Sequence, residues 1–185
     1  MTTEALEQAI VATRGVLAGV SKGQLGEDTP CAQWKVSGLI NHIVGAQYFF
    51  TSAVQGAPPD TSETDYSAGD FVATFDAASQ DTIAAFNGDG VMEKMLTLPF
   101  GQMPGAAFIG IATTDTFTHA WDLAKATGQN TDLNPALAAQ LLEASKLFIQ
   151  PAFRSDEGTV FGPEQTAPAG ACNADQLAAF LGRTV

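Results

Sequence analysis

Apolar residues recur at every third or fourth position along four long stretches of the chain, with polar residues between them. This is the spacing of helices that bury one face, so the pattern predicts an all-α protein. The predicted helices span residues 3–20, 38–54, 71–86 and 105–127. Ser37 and Asp70 stand just before two of these helices and are predicted N-caps, because their side chains can accept hydrogen bonds from the first free backbone N–H groups.

Glycine, proline and short polar residues separate the helices and predict loops between them. The loops cover residues 23–35, 56–69, 92–105 and 151–171, and the third has room for one brief pair of strands. A fifth helix opens at Asn134 and Pro135 and runs to about Ile149, and a short closing helix covers residues 175–181. The sequence therefore predicts one domain over residues 1–185, a four-helix bundle with additional C-terminal helices.

The chain is acidic, with 20 Asp and Glu against eight Lys and Arg and a formal net charge of −12. Eight scattered cations do not form the basic surface that binds a phosphate backbone, so no nucleic-acid partner is expected. Neither a membrane span nor a leader segment is recognisable, and we expect a cytoplasmic protein. Cys31 and Cys172 fit no metal-finger or disulfide spacing. Cys31, with no histidine near it in sequence, is interpreted as a small apolar residue.

The stretch ATTDTFTHAWDLAKATG, residues 112–128, carries the candidate chemistry. Asp115, His119 and Asp122 stand at i, i+4 and i+7 and share one helix face with apolar neighbours. Two carboxylates and an imidazole are costly to bury unless they are paired, hydrogen-bonded or bound to a cation. An Asp-x-x-x-His pair can hold a metal from adjacent helical turns. It can also form an ion pair without a metal, so the spacing leaves both interpretations open.

The chain has two histidines, and the other one, His42, also lies on an apolar helix face. A histidine in that setting commonly belongs to the core and donates to a carbonyl or hydroxyl group. The alternative is that His42 is a ligand as well. Packing of the second helix against the fourth would then bring His42 to Asp115 and His119, with one or more coordination positions left open.

Five motifs follow one another along nearly the whole chain. They are TPCAQW at residues 29–34, SGLINHIVG around His42, LPFGQMPG at residues 98–105, DTFTHAWDLAKATG, and the ending LAAFLGR. In this order they resemble an actinobacterial family of metal-binding proteins in the DinB-like superfamily. That family is related to the N-terminal metal domain of mycothiol-dependent maleylpyruvate isomerase.

The resemblance implies a DinB-like bundle of up-down-down-up connectivity, with a long crossover over residues 56–69. It also implies a divalent metal, zinc most often or nickel, held by His42, Asp115 and His119, with mycothiol as the thiol cosubstrate. The isomerase has a glutamate where this chain has Asp115, whose shorter side chain must approach a metal more closely or bind through one oxygen. The isomerase also has a separate C-terminal domain, so the resemblance does not carry its reaction over.

Other candidate residues have two interpretations each. Asp122 either orients a ligand imidazole or acts as a general base, or it is a surface carboxylate paired with Lys125. Arg154 and Arg183 either anchor an anionic group of a thiol or substrate, or lie in solvent.

Three functions are compatible with these residues. The first is an enzyme in which the metal activates a thiol or water toward an electrophilic substrate, as a transferase or isomerase. The second is a non-catalytic protein that binds a metal and a small molecule in the same pocket. In either case Phe100 and Met103 line the pocket mouth or pack in the core. The third is a metal-free polar network that fixes the packing of the bundle. The sequence leaves the oligomeric state open, with a homodimer as a candidate.

Overall fold

The computed structural model describes residues 2–32, 34–58, 62–155 and 161–185. Within these ranges the chain forms six α-helices and one two-stranded hairpin. They are, in chain order, α1 (Thr3–Ala18), α2 (Val36–Gln55), α3 (Phe71–Phe86), β1 (Met95–Leu98), β2 (Gly101–Pro104), α4 (Gly105–Ala126), α5 (Pro135–Phe148) and α6 (Asn173–Phe180). Each predicted helix is present to within about two residues at either end. Parts of three predicted loops, at residues 33, 59–61 and 156–160, lie outside the described residues.

The hairpin corrects the strictly all-α prediction. β1 pairs antiparallel with β2, with Met95 opposite Pro104 and Leu98 opposite Gly101. Leu96 and Leu98, two residues apart on β1, are buried. Met95, next to Leu96, is exposed. Two inward residues are too few for a period of two to stand out from an extended loop, which is why the sequence pattern left this segment undecided.

The start of α2 differs from the prediction, whereas that of α3 agrees with it. Asp70 caps α3 through its side chain. Ser37 does not cap α2, because the helix has already begun at Val36. The backbone N–H of Val36 donates to the carbonyl of Glu27, and that of Ser37 donates to the carbonyl of Leu25. The preceding loop therefore supplies the acceptors that a capping side chain would otherwise provide.

The four long helices pack as α1 along α4 and α2 along α3, with further contacts between α1 and α3 and between α2 and α4. α1 and α4 begin at the same end of the molecule, because Leu6 shares a buried cluster with Phe108, and Thr13 donates to the carbonyl of Thr116. α2 runs the opposite way. Phe50, near its C-terminal end, has its ring 5.8 Å from the ring of Phe108 near the start of α4.

α3 also runs opposite to α4. Its last residue, Phe86, has its ring 5.9 Å from that of Phe108, while Phe75 near its start packs in a cluster with Leu123 near the end of α4. α2 and α3 therefore run in the same direction, and the chain between them has to return along the length of the helices. The described parts of the connection predicted over residues 56–69, which are residues 56–58 and 62–69, belong to this return.

The C-terminal helices close one side of the long helices. α5 packs against α6, and α6 contacts α4. The indole N–H of Trp121 on α4 donates to Oδ1 of Asp175 on α6 at 2.8 Å, and Trp121 itself is buried. Trp121 thus packs between α4 and α6. Among the described helices, none combines the length and the apolar character needed to cross a membrane.

Candidate metal centre

Two of the candidate ligands stand one turn apart near the middle of α4. Oδ1 of Asp115 lies 3.5 Å from Nε2 of His119. The side chain of His119 is 11% exposed and that of Asp115 is 27% exposed, so one edge of the pair faces solvent. The i, i+4 spacing in a regular helix places the oxygen and the nitrogen side by side.

His42 reaches the same point from α2. Its Nε2 lies 3.4 Å from the same oxygen of Asp115, and its ring centroid lies 4.5 Å from that of His119. The three donor atoms all lie within 4.8 Å of one another. Ligands bonded at about 2.0–2.2 Å around a tetrahedral ion are separated by about 3.3–3.6 Å. The donor types and their spacing therefore fit a divalent metal with small side-chain shifts, and Asp115 presents one oxygen to both imidazoles.

The charges of this group stabilise one another. Burial alone would raise the pKa of Asp115, but the charge of His119 and hydrogen bonds from both imidazoles outweigh it and hold that pKa well below its usual range. Burial alone would lower the pKa of His119, but the charge of Asp115 and hydrogen bonds to both carboxylates raise it well above its usual value. Without a metal these shifts favour the charged forms of His119 and of both carboxylates, and a metal that binds Nε2 has to replace a proton there.

Asp122 lies behind His119 and is fully buried. Its Oδ2 accepts a hydrogen bond from Nδ1 of His119 at 3.0 Å, and the guanidinium of Arg183 donates to both of its oxygens. Burial alone would raise the pKa of Asp122, but the hydrogen bond from His119 and the charge of Arg183 lower it to about 2. The alternative of a surface carboxylate paired with Lys125 does not hold, because no part of the Asp122 side chain reaches solvent.

The described residues of the motif TPCAQW lie beside the site, where Trp34 contacts His42 and Cys31 contacts Asp122. The hydroxyl of Thr29 accepts from the backbone N–H of Cys31 and donates to the carbonyls of Cys31 and Trp34, which closes the turn. The indole of Trp34 stacks on the ring of His42, with centroids 4.5 Å apart and planes at 25°. Trp34 also meets His119 edge-on, with ring centroids 5.6 Å apart. Nothing in the sequence pattern assigned Trp34 to the site, because a contact between two rings from different segments leaves no spacing signal.

Cys31 lies half-buried beside the site and has polar partners there. Its sequence neighbours had predicted a small apolar residue without such partners. Its Sγ donates to Oδ2 of Asp122 at 3.1 Å and lies 3.8 Å from Nδ1 of His119. These three donor atoms form a second compact group. A cation is disfavoured there, because the guanidinium of Arg183 already neutralises Asp122 and would repel it.

Other residues raised by the sequence lie elsewhere or have other partners. Arg154 donates to the carbonyls of Gly162 and Phe180, so it ties the C-terminal segment together. Phe100 is exposed at the tip of the hairpin, and Met103 packs beside the buried cluster that contains β1 and the start of α4. Arg183 is largely covered and paired with Asp122 instead of lying in solvent.

Comparison with known proteins assigns the chain to a family. The family described as mycothiol maleylpyruvate isomerase N-terminal domain matches residues 6–124. Two relatives from strains of Mycobacterium tuberculosis, named uncharacterized protein MT0763 and uncharacterized protein Rv0738, are each 43% identical over 181 residues. Each alignment covers 97% of this chain and 96% of the relative. No solved structure matches significantly. The chain therefore belongs to the mycothiol maleylpyruvate isomerase N-terminal domain family.

Proposed function

We propose that His42, Asp115 and His119 hold a divalent metal ion, zinc or nickel. The observation that carries the proposal is the approach of two imidazole nitrogens to one carboxylate oxygen, at 3.4 Å and 3.5 Å, in a member of this family. Histidine nitrogen and carboxylate oxygen are ligands that zinc accepts, and three protein ligands leave a position for a small molecule. Only Oδ1 of Asp115 faces the two imidazoles. Binding of the metal through this one oxygen agrees with a side chain one methylene shorter than that of glutamate.

The proposal includes a DinB-like bundle of up-down-down-up connectivity within one domain of residues 1–185. The helix directions support the connectivity, since α1 and α4 run one way and α2 and α3 the other. The contacts of α6 support the single domain. Trp121 on α4 bonds to Asp175 on α6, and Arg183 just after α6 bonds to Asp122.

We propose that the protein acts as a mycothiol-dependent transferase or isomerase on an electrophilic substrate. A divalent metal bound at this site would supply Lewis acidity, which lowers the pKa of a coordinated thiol or water toward neutrality. The chain's own residues define access and orientation. His42 and Asp115 keep partly exposed side chains, so a small molecule can reach this edge from solvent. Trp34 forms an aromatic wall beside them.

The role of Asp122 that fits this function best is to orient the ring of His119. Both of its oxygens are occupied by His119 and Arg183, and it has no solvent-exposed surface from which to take a proton from a substrate. Its hydrogen bond holds the Nδ1 proton of His119 in place, so Nε2 is free to bind a metal. The general-base alternative requires Asp122 to lose one of these partners during the reaction.

Metal content is the first test. The protein, purified without chelators or a metal-affinity tag, should carry or take up about one zinc or nickel ion per chain, because the site offers one set of three ligands. His42→Ala and Asp115→Asn should lose that metal. Asp81→Asn, which removes an exposed carboxylate on α3, is the matched control and should retain it. If the unsubstituted protein bound no metal on reconstitution, the metal centre would be wrong, and the metal-free polar network would be the remaining explanation of these residues.

Thiol entry is the second test and addresses the activity. Mycothiol added to cobalt(II)-substituted protein should produce a sulfur-to-cobalt charge-transfer absorption. Product formation with an electrophilic substrate would then establish a transferase or isomerase. Thiol binding with no product across electrophile classes would favour the non-catalytic binding protein, and an unchanged cobalt spectrum would contradict the thiol-dependent function.

A further inference from the structure

Arg183 reaches the candidate metal centre from outside the family match, which ends at residue 124. Its Nε donates to Oδ1 of Asp122 at 3.2 Å, and its Nη2 donates to Oδ2 at 3.0 Å. Paired donors of this kind fix both the position and the plane of a carboxylate. The side chain of Arg183 is only 12% exposed, so water competes little for the pair.

Asp122 transmits this orientation to His119. Its Oδ2 accepts from Nδ1 of His119 at 3.0 Å, while Nε2 on the other side of the ring faces Asp115. The thiol of Cys31 also donates to Oδ2, at 3.1 Å, but donors to Oδ2 alone leave the carboxylate able to rotate about that oxygen. With the guanidinium on both oxygens, rotation breaks both hydrogen bonds at once. The direction of the Nε2 lone pair therefore depends on Arg183.

We propose that Arg183 is a positioning residue of the centre, which holds His119 in its ligating orientation through Asp122. This inference rests on the metal centre proposed above. It gives the C-terminal segment a role in metal binding, although none of that segment touches His42, Asp115 or His119 through a described hydrogen bond.

The path of the chain after α6 delivers Arg183 to Asp122. The hydrogen bond from Trp121 to Asp175 ties α6 to α4. The chain then turns at Gly182, whose φ of 95° is in the region that favours glycine. A Cβ at Gly182 would lie 2.7 Å from the backbone of Gly162. A side chain there has to shift the turn that carries Arg183 relative to Gly162, and the atoms it meets belong to Gly162, not to a candidate ligand.

The first experiment measures cobalt(II) affinity and visible spectrum in the full chain. Arg183→Met should weaken cobalt binding about 10- to 100-fold and alter the spectrum, as expected for loss of a partner that orients a ligand. Arg14→Met is the matched control, because Arg14 pairs with Asp76 at 2.9 Å on the surface between α1 and α3. It should leave both readouts unchanged. A folded Arg183→Met protein with the affinity and spectrum of the unsubstituted protein would overturn the inference.

The second experiment moves Arg183 without changing it. Gly182→Ala should weaken cobalt binding in the same direction. Gly170→Ala is its control, because Gly170 also has a positive φ, of 81°, but a Cβ there meets nothing within 4 Å. Equal cobalt affinities in the two alanine variants would mean that the turn at Gly182 does not set the position of Arg183, and would count against the proposal.

A third measurement tests the inference if the Arg183→Met protein does not fold. Arg183→Lys keeps the charge but provides one compact ammonium that cannot bridge both oxygens of Asp122 as the guanidinium does. The Nδ1 proton of His119 should exchange with water faster in Arg183→Lys than in the unsubstituted protein. The chain has two histidines, so comparison with His42→Gln assigns this proton. Equal exchange rates would overturn the inference.

The ring-proton measurement needs no metal and separates the two proposals. If the unsubstituted protein binds no metal, the proposed centre fails, and the exchange rate still decides whether Arg183 orients His119. If the protein binds metal but Arg183 variants change neither affinity, spectrum nor exchange, the centre stands and the role of Arg183 fails.

Discussion

His42 and His119 approach the same oxygen of Asp115, yet they are held in different ways. His119 is nearly buried, and its two nitrogens face two carboxylates. His42 is 30% exposed, and its ring lies flat against Trp34. Directional hydrogen bonds among buried charges fix both the plane of the His119 ring and its proton. His42 has one carboxylate partner, Asp115 at 3.4 Å, and stacking on Trp34 holds the plane of its ring.

The difference suggests a division of roles between the two helices. α4 supplies two donors, and Asp122, itself paired with Arg183, holds the ring of one of them, His119. α2 supplies a donor at the accessible edge, next to an aromatic wall that a small molecule can touch. Substitutions on the α4 side should therefore affect both stability and metal affinity, whereas those on the α2 side should affect metal and ligand binding alone.

The largest expected effect is loss of a histidine. His119→Gln and His42→Gln should each weaken metal binding by more than the roughly 100-fold expected for an orienting residue. Only His119→Gln should also destabilise the metal-free protein, by about 1–3 kcal/mol, because it disturbs the hydrogen bonds of two carboxylates. Chelator competition and urea unfolding measure the two quantities. Equal losses of stability in the two variants would break the contrast between the histidines.

The next effect concerns Asp122. Asp122→Asn should keep the metal but bind it about 10- to 100-fold more weakly, because the orientation of His119 is less strictly held. It should also destabilise the fold by about 3–5 kcal/mol, since the buried guanidinium of Arg183 loses its counter-charge. Metal analysis and calorimetry check both results. Complete loss of metal in Asp122→Asn, with metal retained in Asp115→Asn, would mean that the carboxylate roles are reversed.

pH should act in opposite directions on the metal-free and metal-loaded forms. The pKa of His119 is raised in the metal-free fold, so its stabilising charge is present below the unfolded value of 6.5 and is lost as pH rises through the folded pKa. Metal affinity should increase over that same interval, by up to about tenfold per pH unit, because the metal replaces a proton. Thermal unfolding with and without zinc tests both trends. If the metal-free His119→Gln protein still lost stability as the pH rose, that loss would come from a group other than His119.

The smallest effect is expected at Trp34. Trp34→Leu should weaken metal binding by at most about tenfold, because it removes about 0.5–1.5 kcal/mol of ring contact and no ligand. In Trp121→Phe, Trp34 is the remaining tryptophan, and its fluorescence should change when metal binds to His42. The double variant Trp121→Phe, Trp34→Leu provides the blank. No fluorescence change on metal binding would place the metal away from His42.

Much of the candidate site could be anticipated because its parts are local. Asp115, His119 and Asp122 share a face by helical periodicity alone, and the apolar stripe around His42 indicated which face of α2 turns inward. The partners of Asp122 could not be anticipated in the same way. The sequence offered Lys125, three residues away, as its partner, whereas the structure pairs it with Arg183.

The sequence by itself determined the six helices, their order and the spacing of the donors on α4, because these follow from short-range periodicity and turn chemistry. Only the tertiary structure decided that Cys31 and Trp34 lie at the site, that Ser37 is not needed as a cap, and that Arg183 pairs with Asp122. These contacts depend on how helices cross and where loops return. No pattern within a few residues encodes them, since the free energy of each contact is shared between segments far apart in the chain.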